Sequence, residues 1–500
     1  MRIIHTSDWH LGQYFYGKSR ANEHQQFLTW LLAQVTTHNI DAIIVAGDIF
    51  DTSTPPSYAR EMYFDFIAKL HLTQCQLVIL AGNHDSVAML SESQAVLASL
   101  STRVITQVIP ASIGEGDLES TLGSTALNQQ VFPLYNANGQ PSAILCAIPF
   151  VRPRDVIKSR AGQSAKDKQQ SLQQAISDHY QYLYQHALSL SKKLSKQIAK
   201  KQELDEDEQL PIIATGHLTA LGVSVSDSKS DSVRDIYIGS LEAFPASAFP
   251  PADYIALGHI HRAQQVAKSD HIRYCGSPIP LSFDEAKQDK RVLMVDFTSG
   301  KLNQVEDLIV PCFQPLYMVK TSVDELESSL KETLTEFELF KEKQAKTDDS
   351  TELTAAISAG SALNIKAWLD IEIDNGDHLS DLSQRVSELA ADMPFEVLLV
   401  RRCKKARQRR QAQLSQQDNS TLSELSLAEV FDSRLSQLDW QTDEEVARKT
   451  RLKQLFTEIS VALADEKKPA NLPAEQSIET IKIKEADLSV NTEEVGQENL

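Results

Sequence analysis

Residues 77–85 read LVILAGNHD, a run of branched apolar residues that stops abruptly at Gly82, Asn83, His84 and Asp85. An apolar run without polar alternation is typical of a strand that is buried on both faces of a sheet. Burying an Asn-His-Asp triplet costs free energy unless those side chains bind something. Because ligands bind at the carboxyl ends of strands in α/β folds, this stretch predicts a functional strand end.

Similar apolar runs recur from residue 1 to about residue 298. Helical patterns lie between several of them, at 22–38 and 57–71. This alternation predicts an α/β fold in which sheets are covered by helices on both faces. The other runs are RIIHTSD (2–8), AIIVAGD (42–48), AILCAIP (143–149), PIIATGH (211–217) and YIALGHIH (254–261).

The polar residues at these strand ends are of the types that bind metal ions. Aspartate supplies charged oxygen and can bridge two cations, whereas imidazole nitrogen and the Asn amide oxygen are neutral ligands. Such a mixed set suits Mn, Fe or Zn better than Ca or a cysteine-rich zinc site. Two such metals clamp the attacking and leaving oxygens of a phosphoryl displacement and lower the pKa of bound water. One GD or GH pair is common by itself, so the prediction depends on the whole set, which is Asp8, His10, Asp48, Asn83, His217, His259 and His261.

The order DxH, GD, GNHD, GH and GHxH resembles the calcineurin-like metallophosphoesterases. From residue 1 to about residue 465 the chain resembles the SbcD family, the nuclease subunits of bacterial SbcCD complexes. The resemblance implies an α/β, calcineurin-like metallophosphoesterase sandwich of two β-sheets flanked by helices, plus a small α+β capping domain and C-terminal helices. The segments that carry it are TSDWHLGQ (6–13), VAGDIFDT (45–52), LAGNHDS (80–86), ATGHL (214–218), IALGHIHRAQ (255–264) and YCGSPIPLSFDE (274–285).

The resemblance also implies how the ligands divide between two divalent ions, expected to be Mn²⁺. Asp48 would bridge the ions. His84 would be the catalytic histidine, which positions the phosphate and protonates the departing 3′ oxygen. The two ligand groups would be Asp8, His10, Asp48 and His261, and Asp48, Asn83, His217 and His259.

Several neighbouring residues are given other roles. Asp85 is expected either to orient His84 or to cap the helix that follows. Asp51 and Arg262 lie near ligands in the sequence and are not assigned to the site. The histidines expected to be structural or surface residues are His5, His24 and His271.

The sequence predicts four regions. A nuclease domain over 1–298 is followed by an α+β capping domain over 299–402, which has alternating strand and helix patterns. Residues 403–465 are predicted to be a basic linker and two amphipathic helices, and 466–500 an acidic, disordered tail. The resemblance implies that these helices bind a partner ATPase, and the alternative is that they dock onto their own domain. Capping-box pairs open the two helices, Thr421 with Glu424 and Thr442 with Glu445.

Composition limits the class of protein. Of 500 residues, 49 are Lys or Arg and 68 are Asp or Glu, giving a net charge of -19 that excludes a basic nucleic-acid coat protein. The five cysteines contain no CxxC pair, which indicates reduced thiols and a cytoplasmic protein. No apolar run approaches the roughly 20 residues that a membrane helix needs.

Local charge raises further questions. Residues 301–400 hold 8 basic and 20 acidic residues, so either one face of the capping domain is locally basic and contacts DNA phosphates, or the cap acts mainly by shape. Residues 401–410 hold seven basic and no acidic residues, which fits phosphate contact, partner contact or a solvated linker. Residues 191–208 and 223–235 are expected to be exposed insertions.

The resemblance implies an ATP-stimulated 3′→5′ double-strand DNA exonuclease that is also a single-strand and hairpin endonuclease in DNA replication, recombination and repair. Its expected partners are an SbcC-like coiled-coil ATPase and DNA, with a homodimer inside a heterotetramer. Two alternatives remain open from the residues alone. One is another calcineurin-like phosphatase or phosphodiesterase, which has no need of the terminal helices. The other is a non-catalytic subunit that tethers an ATPase to DNA.

Overall fold

The chain divides into two compact units, residues 1–408 and 409–500. The features below lie in the first unit. The computed structural model describes residues 1–108, 129–157, 164–202, 209–220, 243–347, 365–374, 382–403 and 451–452. The predicted helices over 421–435 and 442–463 and the tail therefore lie almost wholly outside the described residues.

Strands and helices alternate along the described chain. The strands are β1 (Arg2–Thr6), β2 (Tyr14–Phe15), β3 (Lys18–Ser19), β4 (Ala42–Ala46), β5 (Gln76–Leu80), β6 (Thr102–Ile105), β7 (Val131–Tyr135), β8 (Pro141–Cys146), β9 (Ile212–His217), β10 (Tyr254–Gly258), β11 (Gln264–Gln265), β12 (Ile272–Tyr274), β13 (Arg291–Thr298), β14 (Lys301–Ile309), β15 (Leu316–Ser322), β16 (Ala367–Asp374) and β17 (Phe395–Arg402). The helices are α1 (Ala21–His38), α2 (Ser57–His71), α3 (Val87–Glu92), α4 (Gln94–Ala98), α5 (Pro153–Val156), α6 (Ala165–Gln202), α7 (Leu326–Thr347) and α8 (Leu382–Ala390).

Two six-stranded sheets are built from the apolar runs. The first has the order β14-β13-β1-β4-β5-β6, and the second has the order β11-β12-β10-β9-β8-β7. Strands β1, β4, β5 and β6 are parallel, as are β8, β9, β10 and β12. Parallel strands place their carboxyl ends at one edge, which is where the polar residues of the sequence follow them.

The two sheets pack face to face. Ile3, Ile44 and Val78 of the first sheet share a buried cluster with Leu145 and Ile213 of the second. The alternate residues of the same strands point outward and are covered by α1 and α2 on one side and by α6 on the other. Both faces of each central strand are thus buried, which confirms the predicted sandwich flanked by helices.

Helix α6 continues through a segment that the sequence suggested was exposed. Ser191 and Ser195 are buried, and Ala199 is 7 % exposed. The Ser191 hydroxyl donates to the Leu210 carbonyl at 2.9 Å, and the Leu210 amide donates to Ser195 Oγ at 3.2 Å. The prediction of an exposed insertion is therefore wrong for one face of 191–200, because small residues at every fourth position form a buried helix face. The lysines of this stretch are exposed as predicted. The insertion predicted over 223–235 lies outside the described residues.

A three-stranded parallel sheet forms the capping region. Strands β15, β16 and β17 lie side by side, with β16 in the centre. Their apolar face packs on α7 and α8. This is the predicted α+β arrangement. The predicted division at 298 falls within the hairpin of β13 and β14, which belongs to the first sheet, and the domain boundaries remain predictions.

The capping sheet rests on the two-sheet region through a mainly aromatic cluster. Phe15, Phe283, Leu316 and Trp368 are buried together. The Phe15 and Trp368 rings are stacked with centroids 5.7 Å apart. An ion pair between Lys18 and Glu396 crosses the same boundary. The capping region is therefore held against the hairpin that follows the first metal-ligand motif.

Two further predictions concern the chain as a whole. No helix among the described residues is both long enough and apolar enough to cross a membrane. All five cysteines lie in the described ranges, and none is in a disulfide.

Candidate metal centre

Strand ends from both sheets converge at one edge of the sandwich. Asp8 and Asp48 follow β1 and β4 of the first sheet, whereas His217 ends β9 and His259 follows β10 of the second. The His259 amide donates to Asp8 Oδ1 at 3.1 Å, and the Asp8 amide donates to the Gly47 carbonyl at 3.0 Å. The first of these bonds joins the two sheets at the site, and the second joins two neighbouring strand ends of the first sheet.

The backbone at the site is strained. Asp8, His10, Asp48 and His259 have φ angles of 53°, 48°, 51° and 92°, in the region that side chains with a Cβ rarely adopt. A Cβ on Gly82 would lie 2.1 Å from Asp48 Oδ1, so only glycine fits there. Strain of this kind persists where the surrounding fold over-determines it, and it concentrates at functional sites.

The first ligand group contains Asp8, His10 and His261. One ligand atom of each lies within 4.8 Å of the others. His10 Nε2 is 3.8 Å from Asp48 Oδ2, which extends the group to a fourth residue.

The second ligand group contains Asp48, His217 and His259, again with ligand atoms within 4.8 Å of one another. Asp48 Oδ2 is 3.2 Å from His217 Nε2. Asn83 Oδ1 is 3.0 Å from His217 Nε2 and 2.9 Å from His259 Nδ1. All seven predicted ligands are thus brought into two adjacent groups, and Asp48 reaches both.

The hydrogen bonds of the histidines fit a cation at each group. His217 Nδ1 donates to the Ala46 carbonyl at 2.8 Å, so Nε2 is the nitrogen that faces Asn83 Oδ1 and Asp48 Oδ2. In the neutral ring, which is the form that binds a metal, Nε2 directs a lone pair at these oxygens. Lone pairs facing each other repel unless a proton or a metal ion lies between them. His10 Nδ1 donates to Asp51 Oδ1 at 3.3 Å. The buried His10 Nε2 has no hydrogen-bond partner among the described residues and is the nitrogen left for an ion. Such outer hydrogen bonds orient histidine ligands of metals.

Electrostatics at the site also favour cations. Burial lowers the pKa of His217, but the Asp48 carboxylate outweighs burial and raises it to about 9. Burial also lowers the pKa of His10. The carboxylates of Asp51, Asp48 and Asp8 outweigh burial and raise that pKa to about 9. For Asp48, burial acts to raise the pKa, but His217 and His10 hold it well below its ordinary value. A buried, negatively charged site of this kind binds positive charge.

His84 lies beside the first group rather than within it. Its ring centroid is 4.9 Å from that of His10. Its Nδ1 donates to the Asp51 carbonyl at 2.8 Å, and its amide donates to Asp48 Oδ1 at 2.9 Å. The ring is partly exposed, and Nε2 is the nitrogen left to meet a substrate.

Comparisons with known proteins agree with this geometry. Residues 1–263 match the family model described as calcineurin-like phosphoesterase, and residues 312–438 match the model described as type 5 capsule protein repressor C-terminal domain. The SbcD subunit of the nuclease SbcCD from Escherichia coli (strain K12) is 47 % identical over 466 residues, which cover 93 % of this chain and 99 % of that protein. The chain belongs to the SbcD family.

Other matches are more distant. The corresponding SbcCD nuclease subunit of Rhodobacter capsulatus is 33 % identical over 60 % of this chain and 67 % of its own length. A solved dimetal phosphatase from Danio rerio, 12 % identical, covers 62 % of this chain and 98 % of its own with a TM-score of 0.29, which is too low to support an argument.

In this SbcD-family chain, Asp85 has neither of its two expected roles. Its carboxylate accepts from the backbone amides of Ile49 at 3.1 Å, Phe50 at 3.0 Å and Gly82 at 2.8 Å. Helix α3 is capped instead by Ser86, whose Oγ accepts from the Met89 amide at 3.3 Å. Asp85 therefore links the loop that carries Asp48 to the loop that carries Asn83 through hydrogen bonds. The spacing of the motifs does not reveal this role.

The other residues considered from the sequence fall outside the ligand groups. Asp51 contacts His10 through its side chain and His84 through its carbonyl, so it orients two site residues. Arg262 is exposed. Burial lowers the pKa of His5 and of His24 to about 3, as expected of structural histidines. His271 bonds Ser269.

Sequence analysis missed the support behind His261. Glu285 Oε1 lies 3.6 Å from His261 Nδ1 and forms a buried ion pair with Lys290. The Lys290 ammonium also donates to Ser277 Oγ at 2.9 Å and to the His261 carbonyl at 3.1 Å. Glu285 is the last residue of YCGSPIPLSFDE (274–285), a segment that carries the family resemblance. The spacing of residues in the sequence does not link Glu285 to His261.

Proposed function

We propose that this chain is the nuclease subunit of an SbcCD-type complex, in which it hydrolyses DNA phosphodiester bonds with two divalent metal ions. The observation that carries the proposal is the position of Asp48 between two complete ligand groups. Family membership supports the choice of a nuclease over a small-molecule phosphatase. The proposed activity is an ATP-stimulated 3′→5′ double-strand exonuclease and a single-strand and hairpin endonuclease, acting in DNA replication, recombination and repair.

The proposed ligands of one ion are Asp8, His10, Asp48 and His261, and those of the other are Asp48, Asn83, His217 and His259. Mn²⁺ is the proposed metal, because the set mixes carboxylate oxygen, amide oxygen and imidazole nitrogen. Two such ions supply a nucleophilic hydroxide near neutral pH and neutralise charge on the phosphate.

His84 is the proposed catalytic residue. Because His84 Nδ1 donates to the Asp51 carbonyl at 2.8 Å, the imidazolium form of His84 carries its second proton on Nε2. That proton is the one His84 would give to the departing 3′ oxygen, which leaves the ring neutral. The hydrogen bond from the His84 backbone amide to Asp48 Oδ1 keeps the ring beside the ligand groups while the substrate binds.

A nuclease assay tests the proposal. The chain is purified with its coiled-coil ATPase partner and mixed with Mn²⁺, ATP and an end-labelled duplex. We expect metal-dependent shortening from the 3′ ends. The His84→Gln variant should bind Mn²⁺ like the wild type but cleave about 10²–10⁴-fold more slowly. Absence of metal-dependent cleavage, or turnover of a phosphomonoester with none on DNA, would contradict the proposal.

We propose an SbcC-like ATPase as the partner, bound through the region 403–465, and a homodimer of this chain within a cytoplasmic heterotetramer. Support comes from the relatives, which are named as subunits of SbcCD complexes. Co-purification of the tagged full chain with its ATPase, followed by mass measurement of the complex, tests both statements. A monomeric chain that never binds the ATPase would refute them.

A further inference from the structure

Arg152 carries a charge at the wall of the metal centre that no carboxylate neutralises. The residue follows β8 and is half-buried. Its Nη2 donates to the Asp85 carbonyl at 3.3 Å, and its guanidinium lies 5.6 Å from the centroid of the Phe150 ring. Among the described residues, no carboxylate oxygen approaches its guanidinium closely enough for an ion pair. The nearby Asp155 instead pairs with Arg154, at 3.7 Å.

The contacts of Arg152 place it beside the second ligand group. The Phe150 ring meets the His217 ring edge-on with centroids 6.1 Å apart. The Asp85 carbonyl that holds Arg152 belongs to the residue whose carboxylate braces the Asp48 loop. His84 is beside His10 of the first group, so the two side chains stand at different parts of the site.

Part of the guanidinium lacks an acceptor. Nη1 is buried and has no hydrogen-bond partner in the described part of the chain. A charged N–H that has lost water and gained no acceptor is costly, so buried polar groups without partners call for an explanation. Burial lowers the pKa of the group, while Asp155, Asp85 and Asp48 act in the opposite direction. Arginine stays charged in proteins near neutral pH, so the partner that Arg152 lacks is an anion.

We propose that Arg152 binds a phosphate group of the DNA strand and holds it beside the second metal position, with the guanidinium donating to a non-bridging phosphate oxygen. This assignment rests on the proposed nuclease function. The Phe150 ring and the Asp85 carbonyl fix the plane of the guanidinium, which suits arginine to such a contact better than lysine. The bound phosphate supplies the negative charge that no carboxylate among the described residues supplies to Arg152.

Cleavage kinetics provide the first test, with the complete complex, Mn²⁺, ATP and a labelled duplex. Arg152→Gln should lower kcat/KM by at least about tenfold, since a hydrogen bond to a charged group is lost. Arg152→Lys should recover part of that loss. Arg154→Gln is the matched control, because Arg154 is two residues away with a side chain that is 78 % exposed, and it should cleave like the wild type.

DNA affinity distinguishes direct contact from a packing role. In a His84→Gln background, adding Arg152→Gln should reduce the slope of log affinity against log salt by about one, because one phosphate contact is removed. Mn²⁺ binding should stay unchanged, and the unfolding temperature should not fall, because the substitution removes a buried charge that lacks an acceptor. An Arg152→Gln enzyme with wild-type kinetics, or one that loses Mn²⁺ or stability in step with activity, would overturn the proposal. If the wild type itself fails to cleave DNA, the nuclease proposal fails instead.

Discussion

Asp48 has a carboxylate with contacts to both ligand groups. Oδ2 is 3.8 Å from His10 Nε2 and 3.2 Å from His217 Nε2, and Oδ1 accepts the His84 amide. Every other predicted ligand belongs to one group. Removing the Asp48 charge is therefore expected to affect both ions, whereas changing Asp8 should affect one.

Asp48→Asn should reduce bound Mn²⁺ from about two ions per chain to fewer than about one, because both shared carboxylate bonds are weakened. Metal analysis after gel filtration measures this. Asp65→Asn is the control, because Asp65 is exposed on α2 and pairs only with Lys69 among the described residues. Retention of both ions by Asp48→Asn would refute the bridging role.

Glu285→Gln should weaken Mn²⁺ binding by about 10–100-fold, since carboxylates behind histidine ligands orient the ring and raise its basicity. The change also leaves the buried Lys290 without its charged partner. Calorimetric titration with Mn²⁺ provides the measurement, with the exposed neighbour Asp284 changed to Asn as control. Equal affinity in wild type and Glu285→Gln would show that Glu285 serves folding alone.

His5→Gln should reduce the acid sensitivity of folding. Burial lowers the pKa of His5 to about 3 from an ordinary value of 6.5, so between these values the unfolded chain binds more protons than the folded one. Stability contributed by the neutral ring is therefore present above pH 6.5 and declines as the pH falls. At pH 5 this decline amounts to about 2 kcal/mol. Urea unfolding at pH 8 and pH 5 in metal-free buffer should show a smaller difference for His5→Gln, and an unchanged difference would contradict this prediction.

At the scale of elements, the capping sheet is attached mainly through aromatic side chains. Trp368 on β16 is 8 % exposed and stacks on Phe15 of β2. The Lys18–Glu396 ion pair is partly exposed, and pairs of this kind contribute little. The stability of this attachment should therefore depend on burial rather than on charge.

Trp368→Ala should lower the free energy of unfolding by about 3–5 kcal/mol, the usual loss for truncating a buried aromatic residue. Denaturant unfolding measures this. Leu339→Ala on α7 is the control, because Leu339 is 53 % exposed and its truncation should change stability little. If Lys18→Met destabilised the chain more than Trp368→Ala, the burial argument would be wrong.

For the whole molecule, local sequence pattern predicted the elements well, and it predicted which polar strand ends converge, but not the contacts between distant segments. Helix α1 begins at Ala21 against a predicted 22, and α2 matches 57–71. The buried end of α6 was missed because its Lys-rich surface hides a face of small residues. Asp85, Glu285 and Arg152 act through bonds to residues far away in the chain, and spacing within one motif does not show such bonds.

One short turn, the 3-10 helix Phe283–Glu285, contributes a residue to the aromatic cluster and a carboxylate that faces His261. Phe283 packs against Phe15 under the capping sheet, with ring centroids 5.0 Å apart, and Glu285 faces His261. If seating of the cap and binding of the ion favour the same position of this turn, each strengthens the other by the same factor, as thermodynamic reciprocity requires. Movement of the capping sheet would then change the affinity of the His261 group for its ion.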